Sequence, residues 1–158
     1  MAMWQVDFHL VPRRALGTAP RPLTPAVLDD TDWWASAVFP VDYARRLNAV
    51  APVAPSSSAE VETWGQAEGN RVDVRTRQGR VSTVTARVDV RRLDSKFGAA
   101  LLTFLRAADA LLVRRDGTVV EPTINAYAGA LRSSAAWQYA SEPAASRLLQ
   151  RDDDDDVE

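Results

Sequence analysis

The sequence predicts an α+β protein of the ferredoxin-like, split βαβ type: an antiparallel sheet with helices on one face, extra C-terminal helices and a disordered acidic tail. Three observations carry this prediction. Residues 71–91, RVDVRTRQGRVSTVTARVDVR, alternate apolar and polar side chains around a Gln-Gly pair, the pattern of a β-hairpin. Residues 95–112, SKFGAALLTFLRAADALL, switch to apolar positions three and four apart, the helical period. An alternating strand opens the chain, so the overall order is strand, helix, hairpin, helix, strand.

In the first strand Trp4, Val6, Phe8 and Leu10 point one way and Gln5, Asp7 and His9 the other, and Pro12 ends it. Residues 13–25, RRALGTAPRPLTP, form a connection in which Thr24 and Pro25 occupy the N-cap and first position of a short helical turn. An acidic knot, Asp29, Asp30 and Asp32, precedes Trp33 and Trp34. Tyr43, Leu47 and Val50 then recur at helical spacing, which predicts a helix from about Val41 to Ala51. The two prolines and three serines of Pro52 to Ser58 read as an exposed linker.

The register of the hairpin follows from its apolar residues. Val72 and Val74 share a face with Val84, Ala86, Val88 and Val90 only if Gly79 takes the left-handed position of a three-residue loop with a bulge; a plain two-residue loop would split them between faces. Asp94 or Ser95 caps the following helix, which lays Phe97, Leu101, Phe104 and Leu105 on the sheet. Leu111–Arg114 and Thr118–Glu121 flank an Asp116-Gly117 turn and predict one strand and a short further one. A third helix opens at about Thr123 with Ile124, Tyr127, Ala128 and Leu131 on one face. Trp137 and Tyr139 alternate in a brief extended piece, and a last short helix opens at Glu142-Pro143. Residues 1–151 form one domain on this reading, and 152–158 a solvated acidic tail.

Composition removes several function classes. With no cysteine there is neither a disulfide nor a thiolate nucleophile, and with one histidine there is no His-rich metal site. No apolar run is long enough to span a bilayer, and the N-terminus lacks the basic-then-apolar order of a secretion signal, so a cytoplasmic protein is expected. The tail holds six of the 21 acids, which leaves 15 acids against 19 bases before it, a net of +4. All but Lys96 of those bases are arginine, a skew typical of GC-rich bacterial genomes. The excess is too small for a nucleic-acid binder, and the expected sheet face offers no aromatic residues for stacking on bases. Phosphate-cradling and nucleophile-elbow motifs are absent, and no cofactor is expected.

One candidate working surface remains, the polar sheet face. It would present Gln5, Asp7, His9, Arg71, Asp73, Arg75, Thr83, Thr85, Arg87, Asp89 and Arg91. The expected function is non-enzymatic binding of a partner protein, or of a second copy, in the manner of an immunity-type accessory protein of a toxin system. Arg75, Arg87, Asp89 and Arg91 would supply the polar contacts, and partly exposed indoles of Trp33, Trp34 and Trp64 the anchors. The alternative is a small-ligand protein or enzyme in which Asp7 orients His9 and Arg87 completes an acid–base set. The DDTD cluster, residues 29–32, has oxygen ligands but lacks the glycine and distal glutamate of a calcium loop, so helix capping is its expected role and no metal is assigned.

Overall fold

The computed structural model describes residues 3–141. Seven strands and six helices follow one another as β1 (Gln5–Pro12), α1 (Arg13–Leu16), α2 (Pro25–Asp30), α3 (Tyr43–Asn48), β2 (Val53–Ser58), β3 (Val61–Gly65), β4 (Arg71–Arg77), β5 (Arg80–Asp89), α4 (Ser95–Ala107), β6 (Ala110–Arg114), β7 (Val119–Val120), α5 (Ile124–Arg132) and α6 (Ala135–Ser141). The strands form one open antiparallel sheet in the order β2-β3-β4-β5-β1-β6-β7. The protein is therefore α+β as expected, with a sheet larger than that of the ferredoxin-like fold.

Parity decides the faces. Val6, Phe8 and Leu10 of β1 pair or align with Val88, Ala86 and Val84 of β5, and Val72 and Val74 of β4 lie opposite Ala86 and Val84. All of these are buried, and each large one contributes about 1.5–3 kcal/mol by leaving water. The means of reaching this register differs from expectation. Gln78 and Gly79 both have positive φ, 54° and 75°, and Arg77 pairs with Arg80, so the turn has two residues and not three. The parity this would disrupt is restored inside β5, where Arg75 pairs with Thr83 while Thr76 pairs with Val81, leaving Ser82 as the extra residue of a bulge. The bulged Ser82 carbonyl is used, because it accepts a hydrogen bond from the Trp34 backbone N–H.

The helical face is completed by aromatic rings. α4 begins at Asp94, whose carboxylate accepts from the Lys96 and Phe97 backbone N–H groups, and it buries Phe97, Leu101, Leu102, Phe104 and Leu105. Asp109, at φ 49°, reverses the chain into β6, so Leu111 and Leu112 belong to a strand and not to the helix. Farther along the sheet no long helix is available. Phe104 meets Phe39, Phe39 meets Trp34 and Tyr43, and Tyr43 meets Trp64, with ring centroids 4.8–6.1 Å apart. This row of rings fills the space over β3 and β4, and α3 closes it with Asn48 accepting from the Trp64 indole N–H at 3.0 Å.

Three further expectations are corrected. Residues Pro52 to Ser58 are not a linker: β2 lies at the sheet edge, where the N–H that Pro55 lacks has no inner neighbour to serve on the open side. Trp137 and Tyr139 sit in α6, which the Ser134 hydroxyl opens by accepting from the Trp137 N–H. The helices do not share one face. α2, capped by Thr24 with Pro25 at its first position as expected, lies over the other face at the β1–β6 end, where Val11, Leu111 and Val113 are buried and Asp29 reaches His9. The expected helix after Glu142 and the tail 152–158 lie outside the described residues.

Candidate functional site

The polar face is a cleft and not a plane. Its floor is built by alternation: Arg71, Asp73, Arg75 and Arg77 from β4, Thr83 and Thr85 from β5, and His9 from β1. One wall is Asp29, Asp30, Thr31 and Asp32, at the end of α2 and just beyond. The other is Ser58, Val61 and Thr63 of the β2–β3 pair. Together they enclose about 620 Å³, lined by charged and hydroxyl groups. A smaller cavity of about 160 Å³ adjoins it, bounded by Asp7, His9, Asp29, Arg71, Asp73, Thr85, Arg87 and Arg115.

Charges at the smaller cavity are matched in pairs. Arg87 Nε donates to Asp7 Oδ1 at 2.8 Å, Arg115 grips Asp29 through both carboxylate oxygens at 2.7 and 3.1 Å, and Arg71 Nε lies 3.0 Å from Asp73 Oδ2. The Thr63 hydroxyl donates to Asp73 Oδ1 at 2.6 Å. His9 is 4 % exposed, and its Nε2 lies 3.3 Å from Asp29 Oδ1. Burial pushes the His9 pKa below its usual value despite the attraction of Asp29, so the ring is neutral at pH 7. The Nε2 that faces the carboxylate then carries the proton, which makes Nδ1 an acceptor. Nδ1 is buried and has no hydrogen-bond partner among the described residues. Arg115 hydrogen bonds hold the Asp29 carboxyl below the ordinary carboxylate range, so Asp29 stays ionised.

Beyond the paired interior lie four charged groups that make no hydrogen bond or ion pair among the described residues. Arg75 and Arg77 stand on β4, and Asp30 and Asp32 stand on the opposite wall. All four are exposed, and they divide the mouth of the cleft into a positive and a negative side.

The structure places the expected residues as follows. Asp7 and Arg87 meet each other, but His9 is oriented by Asp29 and not by Asp7, because Asp7 is engaged by Arg87. Arg75 lines the cleft. Asp89 is buried away from it, with burial opposing its charge and hydrogen bonds from the Arg91 side chain and backbone outweighing that effect, so its pKa is lowered. Arg91 stacks on Trp4 at 3.8 Å from the ring centroid, also outside the cleft. The three tryptophans expected as anchors are no exposed surface, and Trp64 lies in β3. Trp33, Trp34 and Trp64 are 2, 4 and 1 % exposed, and their indole N–H groups donate to the Leu28 carbonyl, the Leu10 carbonyl and Asn48. They are buried because only the short α3 covers the sheet between α4 and its β2 edge, and rings fill the rest.

Sequence reasoning missed Asp29, Arg115 and Arg77 as site residues and gave Asp30 and Asp32 a capping role that neither side chain fills. A charged residue ending a short helix beside an acidic knot was the one available signal. Its union with His9 and Arg115 depends on α2 crossing the sheet, which local patterning does not encode. Among the described residues no three His, Asp or Glu side chains converge as metal ligands, and no helix is long and apolar enough to cross a membrane. Comparison with protein-family models, curated proteins and solved structures found no match.

Proposed function

We propose that the protein is a non-enzymatic binding protein that seats a charged segment of a partner polypeptide in the concave face of its sheet. The unmatched pair Arg75 and Arg77 carries this reading. Ion pairs neutralise the arginines of the inner cavity, whereas these two guanidiniums face the cleft without a carboxylate, and arginine forks suit the carboxylates of a partner. Polar, hydroxyl-rich walls suit a peptide backbone better than they suit the mostly apolar surface of a small ligand. An acid–base role for Asp7, His9 and Arg87 has less support, since Asp7 and Arg87 occupy each other and the Nε2 of His9 is engaged by Asp29.

Within the same proposal we read β4-β5-β1-β6 as a ferredoxin-like core. Its order, its antiparallel pairing and the passage of α4 from β5 to β6 support this, with β2, β3 and β7 as additions at the edges. A cytoplasmic accessory protein of immunity type would use such a cleft, with a second protein or a second copy supplying the segment.

The test is a titration of the labelled protein with the capped peptide acetyl-Ala-Glu-Ala-Glu-Ala-amide, followed by amide NMR shifts. Shifts should concentrate on β4 and β5, weaken with added salt and diminish at least fivefold in apparent affinity in an Arg75→Gln/Arg77→Gln variant. Shifts spread over the surface, or equal affinity in the variant, would overturn the reading.

A further inference from the structure

The positive groups explain only half of the mouth. Asp30 and Asp32 face the cleft from the opposite wall without partners, and they stand next to Asp29, whose carboxylate is already shared by Arg115 and His9. An acidic wall of this kind repels the anion that Arg75 and Arg77 attract, so a purely anionic occupant would sacrifice on one side what it gains on the other. A second observation bears on the backbone of the occupant. His9 lines both the cleft and the inner cavity, and its buried Nδ1 is an acceptor with no donor among the described residues. A buried acceptor left without a donor is costly; a carboxylate or a simple anion without N–H cannot supply one, whereas a polypeptide segment can.

We propose that the occupant of the cleft is bipolar: a polypeptide segment whose carboxylate lies on Arg75 and Arg77 and whose ammonium or guanidinium lies against Asp30 and Asp32, with an N–H of the segment donating to His9 Nδ1. This rests on the binding reading above and names the chemistry of the partner at the same site. Opposed charges fixed on the floor and on one wall select against single-sign partners as well as for a two-sign one, because a segment of either sign alone meets one side of like charge. They also set the direction in which the segment lies across the strands.

Four capped peptides test it: acetyl-Glu-Ala-Ala-Lys-amide, its reversed order acetyl-Lys-Ala-Ala-Glu-amide, and the two single-sign controls acetyl-Glu-Ala-Ala-Gln-amide and acetyl-Gln-Ala-Ala-Lys-amide. Each is titrated into the full chain, with backbone amide shifts and the His9 ring nitrogen shifts as readouts. One bipolar order should bind at least tenfold more tightly than both controls and move the His9 Nδ1 resonance. In an Asp30→Asn/Asp32→Asn variant that preference should vanish, with the affinity of the Glu-Gln control equal to or higher than before. Equal binding of the bipolar and Glu-Gln peptides would overturn the bipolar occupant and leave the anion-binding cleft standing. A preference that survives in the Asn variant would overturn the role of the acidic wall. Absence of cleft shifts with all four peptides would sink the binding reading itself.

Discussion

His9 is the residue on which the chemistry of the interior turns, and its environment makes a signed prediction. It is the one histidine of the chain, so titration near neutral pH has few other sources. In the unfolded chain the imidazole takes up a proton near its ordinary value of 6.5, whereas burial delays that uptake to lower pH in the fold. Between those two values the unfolded state binds more protons, so acidification favours unfolding. The melting temperature should rise as pH climbs toward about 7 and then level off, and a His9→Gln variant should lose that slope. Asp29 acts at lower pH and in the same direction, because its proton affinity too is reduced in the fold. Its carboxyl is held below the usual value by Arg115, so its contribution is full above that value and disappears as pH falls through the depressed one. A second drop in melting temperature below about pH 4 should therefore weaken in Arg115→Gln. Nothing in the local sequence announced this pairing. Asp7, two residues away on the same strand face, was the readable partner, and Arg87 had already claimed it from the neighbouring strand.

Among the elements, the β4–β5 hairpin shows both how far sequence reading reaches and where it stops. The apolar alternation identified the buried face, and Val72, Val74, Val84 and Val88 all lie on it. The device that achieves it was not legible, because a bulge at Ser82 leaves no composition signal and a loop bulge at Gly79 would satisfy the same pattern. The two solutions make different predictions. Gln78 has positive φ without being glycine or asparagine, a conformation that costs a side chain about 1 kcal/mol, so Gln78→Gly should stabilise the protein by roughly that amount in chemical denaturation. Deleting Ser82 removes the bulge but leaves Val74 opposite Val84 and Val72 opposite Ala86, so cooperative unfolding should persist, with the loss only of the hydrogen bond that the Ser82 carbonyl accepts from Trp34. For β2 the sequence misled outright. Prolines and serines mark a linker, yet they suit an edge strand equally well, since an edge needs only half of its backbone hydrogen bonds. The tryptophans misled for a related reason. Irregular backbone around Trp33 and Trp34 suggested exposure, but large rings are what covers a sheet where no helix does.

At the scale of the molecule the sheet is covered unevenly. The β1–β6 end has α4 and α5 against one face and the α2 segment against the other, while β3 and β4 have aromatic rings and α3 on one side and the cleft on the other. Removing the ring nearest the thin end should therefore be felt strongly. Trp64→Ala should cost about 3–5 kcal/mol in a denaturant melt, because it deletes a core indole and leaves Asn48 without its donor. General patterning was enough to predict a layered α+β molecule. The thickness of each part was beyond it, because that depends on where α2 crosses over. This asymmetry carries a temporal consequence. Backbone amides of β2 and β3 should exchange with deuterium sooner than those of β1 and β6, through partial openings that leave the thicker half intact. An occupant bridging β4 and the end of α2 would then act as a clasp beside the half of the molecule that breathes, and its arrival would be recorded as slowed exchange in β2 and β3 as well as in the strands that carry its charges.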